Sequence, residues 1–375
     1  MLQEVPWGRL VGRDAELGRM LTLLDDAASG QAVVALIGGD AGVGKTRLVA
    51  EVTRIATEQG FTVLSGHCAE LGESVPYLPL ADALRGVTQP TQPPAAGSHR
   101  AAAGPRPGAA QLRDALAARP LLGRLLPESG TAAPAGGDES GMARQQMLGA
   151  VLGLLAELAA AAPVLLVLED LHWADASTRD LLTFLSRVLR TERVAIVGTY
   201  RTDDLHRRHP LRPVLAELQR LPTVTAIQLG PLEPAALAEH LTALAEANRP
   251  SSGGSGPDAV GPESPGRETP AGRLRTAAAV PALDAVVLNG IISRAEGNAY
   301  YAEELLAASA DHAAEDHGLP AGLVALLLNR VERLSDAAQR VLRVAAVAGR
   351  RADDELIQAA SGLPVADFED AVRET

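Results

Sequence analysis

Along the first half of the chain, short unbroken apolar runs alternate with longer stretches in which apolar residues recur every three or four positions. Ala32 to Ile37 carries no polar residue, which predicts a strand buried on both faces. Phe61 to Ser65, Val164 to Leu168, Val194 to Thr199 and Val224 to Leu229 predict four more strands. Helical spacing places Leu17, Met20, Leu21 and Leu24 on one face of a first helix, and a second amphipathic helix runs to about Thr57. Further helices are predicted over Met142 to Ala162, ended by Pro163, over Ser177 to Arg190, and over Pro210 to Leu221. Strands alternating with helices imply an α/β fold with a mostly parallel sheet covered on both faces.

After Pro231 the periodicity is helical only: Pro234 to Ala247, Leu283 to Ala295, Tyr300 to Ser309, Leu319 to Leu334, Asp336 to Ala348 and Val365 to Arg373. Two stretches lack apolar periodicity. Thr88 to Gly141 is rich in Ala, Pro and Gly and reads as a loose insertion around one short helix, Gln111 to Ala118. Arg249 to Gly272 is rich in Ser, Gly and Pro and is expected to be disordered. The expected domains are therefore residues 1–230, 231–318 and 319–375.

Composition narrows the function classes. Aromatic residues are 2% of the chain and the net charge is −12, a poor basis for gripping nucleic acid directly. The single cysteine, Cys68, excludes an internal disulfide and suits a reducing compartment. Leu158 to Leu168, the most apolar run, is broken by Pro163 and falls far short of the ~20 residues of a membrane span. Met1 to Leu10 lacks a basic region followed by an apolar one. A soluble cytoplasmic protein with no membrane partner is expected.

One basic residue stands apart. Of the 34 Lys and Arg residues only Lys45 is lysine, so a compact ammonium has survived where every other position is arginine. It belongs to Gly39-Asp40-Ala41-Gly42-Val43-Gly44-Lys45-Thr46, which has the spacing G-x-x-x-x-G-K-[ST] between a predicted strand and helix. Glycines let the backbone N–H groups curl round a phosphate, and the helix aims its positive end at it. The lysine reaches the β- and γ-phosphates and the threonine hydroxyl ligates Mg2+. Such a loop needs a second strand bearing acids for the magnesium and the attacking water. Val164 to Leu168 leads into Glu169 and Asp170. In the usual order the first acid is Asp and holds the metal. Here it is the longer Glu169, leaving two assignments open: altered geometry, or metal on Asp170. Arg201, closing the next strand, is placed to sense the γ-phosphate, or else to pair with Asp203 or Asp204. His172 and Trp173 read as packing residues and Asp175 as a helix cap.

These residues resemble a known group. Leu10-Val11-Gly12-Arg13-Asp14, the phosphate loop, Leu168-Glu169-Asp170-Leu171-His172-Trp173-Ala174-Asp175, Gly198-Thr199-Tyr200-Arg201 and Glu296-Gly297-Asn298 follow the order of the Orc1-like AAA module. More narrowly, they are similar to the STAND-type P-loop ATPase half of the large ATP-binding LuxR-family transcriptional regulators of actinobacteria. The resemblance implies a P-loop NTPase core, a helical lid and the start of a winged-helix domain from Leu319. It implies that Val11, Gly12 and Arg13 lie against the adenine or ribose, with ATP or ADP and Mg2+ as cofactors. It implies an ATP-binding, slowly hydrolysing signalling switch that self-associates on ATP binding and answers to an inducer or partner protein. The same module attached to a nucleotide cyclase or kinase, or a non-hydrolysing adaptor, is the alternative. Ala299 stands where the resembled lid motif has proline, and the chain ends before the helical repeats and helix-turn-helix of those regulators.

Overall fold

The computed structural model describes residues 9–70, 75–88, 109–126, 141–247, 285–311, 324, 328, 331, 332, 334–349 and 353–374. By its contacts the chain forms two compact units, Met1–Leu244 with Glu296–Tyr300, and Ala245–Ala295 with Tyr301–Thr375.

The first unit is built on five parallel strands among the described residues: β1 (Val33–Gly39), β2 (Thr62–His67), β3 (Val164–Glu169), β4 (Val194–Arg201) and β5 (Val224–Leu229). Their order across the sheet is β2-β3-β4-β1-β5. All neighbours pair in parallel, Val33 beside Ala195 and Thr62 beside Val164, so the C-terminal ends of β1 to β4 gather at one edge. The α/β expectation and the parallel sheet are thus observed.

Burial on both faces explains why β1, β3 and most of β4 read as unbroken apolar runs, alternate residues entering opposite cores. Val34, Leu36, Leu64, Leu166 and Ile196 enter a core on one face, packed by α3 (Leu78–Thr88), α4 (Ala109–Ala117), α6 (Gly141–Ala161), α7 (Ala176–Val188) and α8 (Leu211–Leu218). Val33, Ala35, Ile37, Leu165 and Val197 enter a second core, under α1 (Asp14–Ala28) and α2 (Lys45–Glu58). Each such side chain contributes on the order of 2 kcal/mol by leaving water, so two cores hold one sheet.

The strands outrun their apolar residues, β1 to Gly39, β2 to His67, β3 to Glu169 and β4 to Arg201. Ladder pairing continues while a parallel neighbour is present, whatever the side chain. Helix α3 was not expected. It begins at Leu78-Pro79 and lies directly on β2, with Pro79 in the first turn, where its missing N–H costs nothing. A four-residue helix, α5 (Pro120–Gly123), follows α4. The remainder of the Thr88 to Gly141 insertion, all of Arg249 to Gly272, and most of Leu319 to Leu334 lie outside the described residues.

In the second unit, helices over Asp336–Ala348, Asp354–Ser361 and Val365–Glu374 pack around Ala338, Val341, Phe368 and Ala371. Ser335 and Asp353 cap two of them, accepting from the N–H groups of Ala338 and Leu356. The helix from Asp354, like α3, was not expected. No helix among the described residues is long and apolar enough to cross a membrane.

The seat of α3 on β2 is tightest at Gly66, where a Cβ would stand 1.8 Å from the Pro79 carbonyl oxygen. Gly66→Ala is expected to destabilise the protein by about 1–3 kcal/mol or more, because backbone must move. Thermal melting of the variant checks this.

Candidate functional site

The phosphate-type loop runs from Gly39 at the end of β1 to Lys45 at the start of α2. A backbone loop cradles an anion by facing N–H groups inward, so its carbonyls must face outward and find donors. Each of the six carbonyls from Gly39 to Gly44 has a donor. Gly39 O accepts from Lys45 Nζ at 2.7 Å and from the Thr202 N–H at 3.2 Å, and Asp40 O accepts from Lys45 Nζ at 2.8 Å. Ala41 O accepts from Asn298 Nδ2 at 2.8 Å and Gly42 O from the Tyr300 N–H at 3.2 Å. Val43 O accepts from the Arg13 guanidinium at 2.9 Å, and Gly44 O from the Leu48 N–H at 3.0 Å. Gly42 has φ +81°, and a Cβ there would stand 2.5 Å from Asn298 Oδ1, so only glycine fits. Two side chains hold the outer flank: Thr202 Oγ1 donates to Asp40 Oδ1 at 2.5 Å, and the Ala41 N–H donates to Asp203 Oδ2 at 3.4 Å. The N–H groups of α2's first turn remain for a ligand, with exposed Thr46 on that turn.

Because β4 lies between β1 and β3, the loop, the acids and Arg201 emerge together on the C-terminal edge, where open parallel sheets take ligands. Glu169 and Asp170 diverge there. Glu169, 6% exposed, turns to β2, its Oε1 3.3 Å from His67 Nε2. The other ring nitrogen of His67 lies 3.3 Å from Asp82 Oδ2 on α3. Asp82 first and Glu169 second push the imidazole up to about 10, so it is charged at neutral pH. Asp170 has a left-handed φ of +58°, which swings it off the strand, and its N–H donates to Thr199 Oγ1 at 3.0 Å. Burial pushes its carboxyl up, while Arg201 and Lys45 pull it back. Burial and the Arg201 charge push the Lys45 ammonium down, opposed by Asp203, Asp170 and Asp40. Arg201 itself lies 3.8 Å from Asp204 Oδ2 with its Cζ 5.3 Å from the Trp173 ring centroid.

Residues 9–197 match the AAA ATPase domain family. The chain belongs to that family. Over 229 residues it is 31% identical to an uncharacterized protein of Rhizobium meliloti (strain 1021), covering 59% of this chain and 22% of the relative. The chain thus spans about a fifth of that relative's length. Among solved structures, a RuvB variant from Thermotoga maritima is 11% identical at a TM-score of 0.41, covering 97% of this chain and 89% of that one. A second variant is 12% identical at a TM-score of 0.39, covering 97% and 88%.

In this AAA ATPase domain Asp170 shares the field of Lys45 and Arg201. With the Thr46 hydroxyl it supplies hard oxygen donors, the kind Mg2+ takes beside phosphate and water. Arg13 is engaged with backbone carbonyls. Its guanidinium spans Val43 O and, at 2.5 Å, Gly230 O, clamping the loop to the end of β5. Val11 is buried, and Gly12 packs on Ala236 at the start of α9 (Pro234–Ala247). Sequence reasoning missed His67, Asp82, and the loop-holding roles of Asn298, Thr202 and Asp203. His67 fell outside because the expected strand stopped at Ser65. The expected Asp175 cap is present, accepting from the Thr178 N–H at 3.0 Å.

Arg13→Ala leaves two carbonyls without their charged donor, each such bond contributing roughly 1.5–3 kcal/mol. A lower melting temperature and an at least fivefold weaker affinity for ADP are expected, read by melting with and without nucleotide. The raised His67 value gives a pH signature. Its contribution to stability is fully present below 6.5, the ordinary histidine value, and is lost as pH rises through about 10. The stability gap between wild type and His67→Gln, measured by urea unfolding, should close over that interval.

Proposed function

We propose that this AAA ATPase domain is the nucleotide-operated switch of a signalling protein, binding ATP with Mg2+ and hydrolysing it slowly to ADP. The observation that carries the reading is the loop itself: six carbonyls each bonded, with Lys45, Asp170 and Arg201 on the same sheet edge. In this reading the N–H groups of the 39–46 loop and Lys45 hold the β- and γ-phosphates. Thr46 and Asp170 hold Mg2+, which supplies charge neutralisation on the phosphate oxygens. Glu169, fixed by His67, faces the attacking water, and Arg201 offsets charge developing on the γ-phosphate. Val11 and Gly12 line the adenine side, while Arg13 holds the loop.

Beyond the core, we assign residues 231–318 as a lid and 319–375 as the start of a winged-helix domain. The whole is the N-terminal regulatory part of a LuxR-type transcriptional regulator in the cytoplasm. The motif string Glu169-Asp170-Leu171-His172-Trp173-Ala174-Asp175 supports that assignment, as does a relative of which the matched segment is only 22%.

Lys45→Ala is expected to abolish ATP retention on a desalting column. Glu169→Gln with Asp170→Asn should keep ATP bound within a few-fold of wild type and lower turnover at least a hundredfold. Retention by the Lys45 variant, or full hydrolysis by the double variant, overturns the site assignment.

A further inference from the structure

The turn Leu171–Trp173 joins the acid strand to α7. Main-chain and side-chain contacts stitch it to the end of β4. The Asp170 N–H donates to Thr199 Oγ1, and the Arg201 N–H donates to His172 Nδ1 at 3.4 Å. Leu171 lies against Gly198 one strand away. The His172 side chain, 1% exposed, has its Nε2 3.3 Å from Asp204 Oδ2, the same oxygen that lies 3.8 Å from Arg201 Nη1. Its ring sits 4.5 Å from that of Trp173, and the Arg201 guanidinium lies 5.3 Å from the Trp173 centroid.

Packing accounts for Leu171 and His172, which are buried, but not for this placement of Arg201. An arginine at the sheet edge is otherwise free to sample many rotamers. Here its main chain, its π-face and its charge are each engaged, two of the three by the turn that follows Asp170. The indole is the partner best suited to hold a planar cation by its face while leaving the N–H edge available to an anion.

We propose that Trp173 is a positioning residue for Arg201, holding the guanidinium aimed at the phosphate site before the γ-phosphoryl group develops charge. The inference rests on the ATPase reading above and adds to it a residue that never touches nucleotide. A pre-aimed charge acts on the transition state and not on ground-state binding, so its loss appears in kcat.

The test is steady-state ATP hydrolysis by the full chain bearing Trp173→Leu, Trp173→Phe, Arg201→Ala, and Trp173→Leu combined with Arg201→Ala. Trp173→Leu is expected to lower kcat about tenfold with KM for ATP unchanged within twofold, the scale of one well-made cation–π contact. Trp173→Phe should recover most of that loss. In the Arg201→Ala background the Leu substitution should have no further effect. An equal loss in that background, a change confined to KM, or no recovery by Phe overturns the proposal. If Arg201→Ala is slow and Trp173→Leu is as fast as wild type, only the positioning role falls. If Arg201→Ala is itself as fast as wild type, the role given to Arg201 falls with it. Should the Leu variant not fold, Trp173→Met carries the same comparison.

Discussion

A peptide loop can present its N–H groups to an anion only if something else takes its carbonyls. Around residues 39–44 that requirement is met group by group, and the rest of the unit is arranged to meet it. Lys45 and Leu48 supply donors from within α2, Thr202 from the end of β4, Arg13 from ahead of α1, and Asn298 and Tyr300 from beyond α9. Gly39 O has two donors; where a carbonyl has one, losing it costs an unmade bond. The sheet order serves the same end, because placing β4 beside β1 brings Thr202 and Asp203 within reach of the loop.

The charges around the loop are divided between two neighbourhoods. Lys45, Asp170 and Arg201 interact on the β1–β4 side, whereas Glu169, His67 and Asp82 form a chain across β3, β2 and α3. The two adjacent acids thus differ in their nearest partners, although Asp170 also feels Glu169 and His67. Asp170 leaves the strand with a left-handed φ of +58°, a backbone conformation that residue identity at 169 and 170 does not carry.

The five strands and most core helices were legible because each has an apolar pattern of its own: Ala32 to Ile37 and Val164 to Leu168 can only be buried strands. Helix α3 was not legible. Its Pro79 and short apolar stretch become helical through contact with Gly66 on β2, a tertiary cause absent from local sequence. The loop and acid pair were legible from spacing, which is a local code. The partners of that pair and of the loop were not, because His67, Asp82, Thr202 and Asn298 are ordinary polar residues whose role depends on which strands are neighbours. The bonds from Arg13 to Val43 O and Gly230 O were equally illegible, because they depend on where the ends of distant elements meet.

The bond from Asn298 to Ala41 spans 257 residues. A ribosome adding 5–20 residues per second reaches Asn298 roughly 13 to 50 seconds after Ala41. Until then the loop lacks the donors for Ala41 O and Gly42 O, even once β4 and β5 have been made to pair with β1. The anion cradle is therefore finished late in synthesis, after the sheet that carries it. Nucleotide, which binds the finished cradle, stabilises the chain only from that point on.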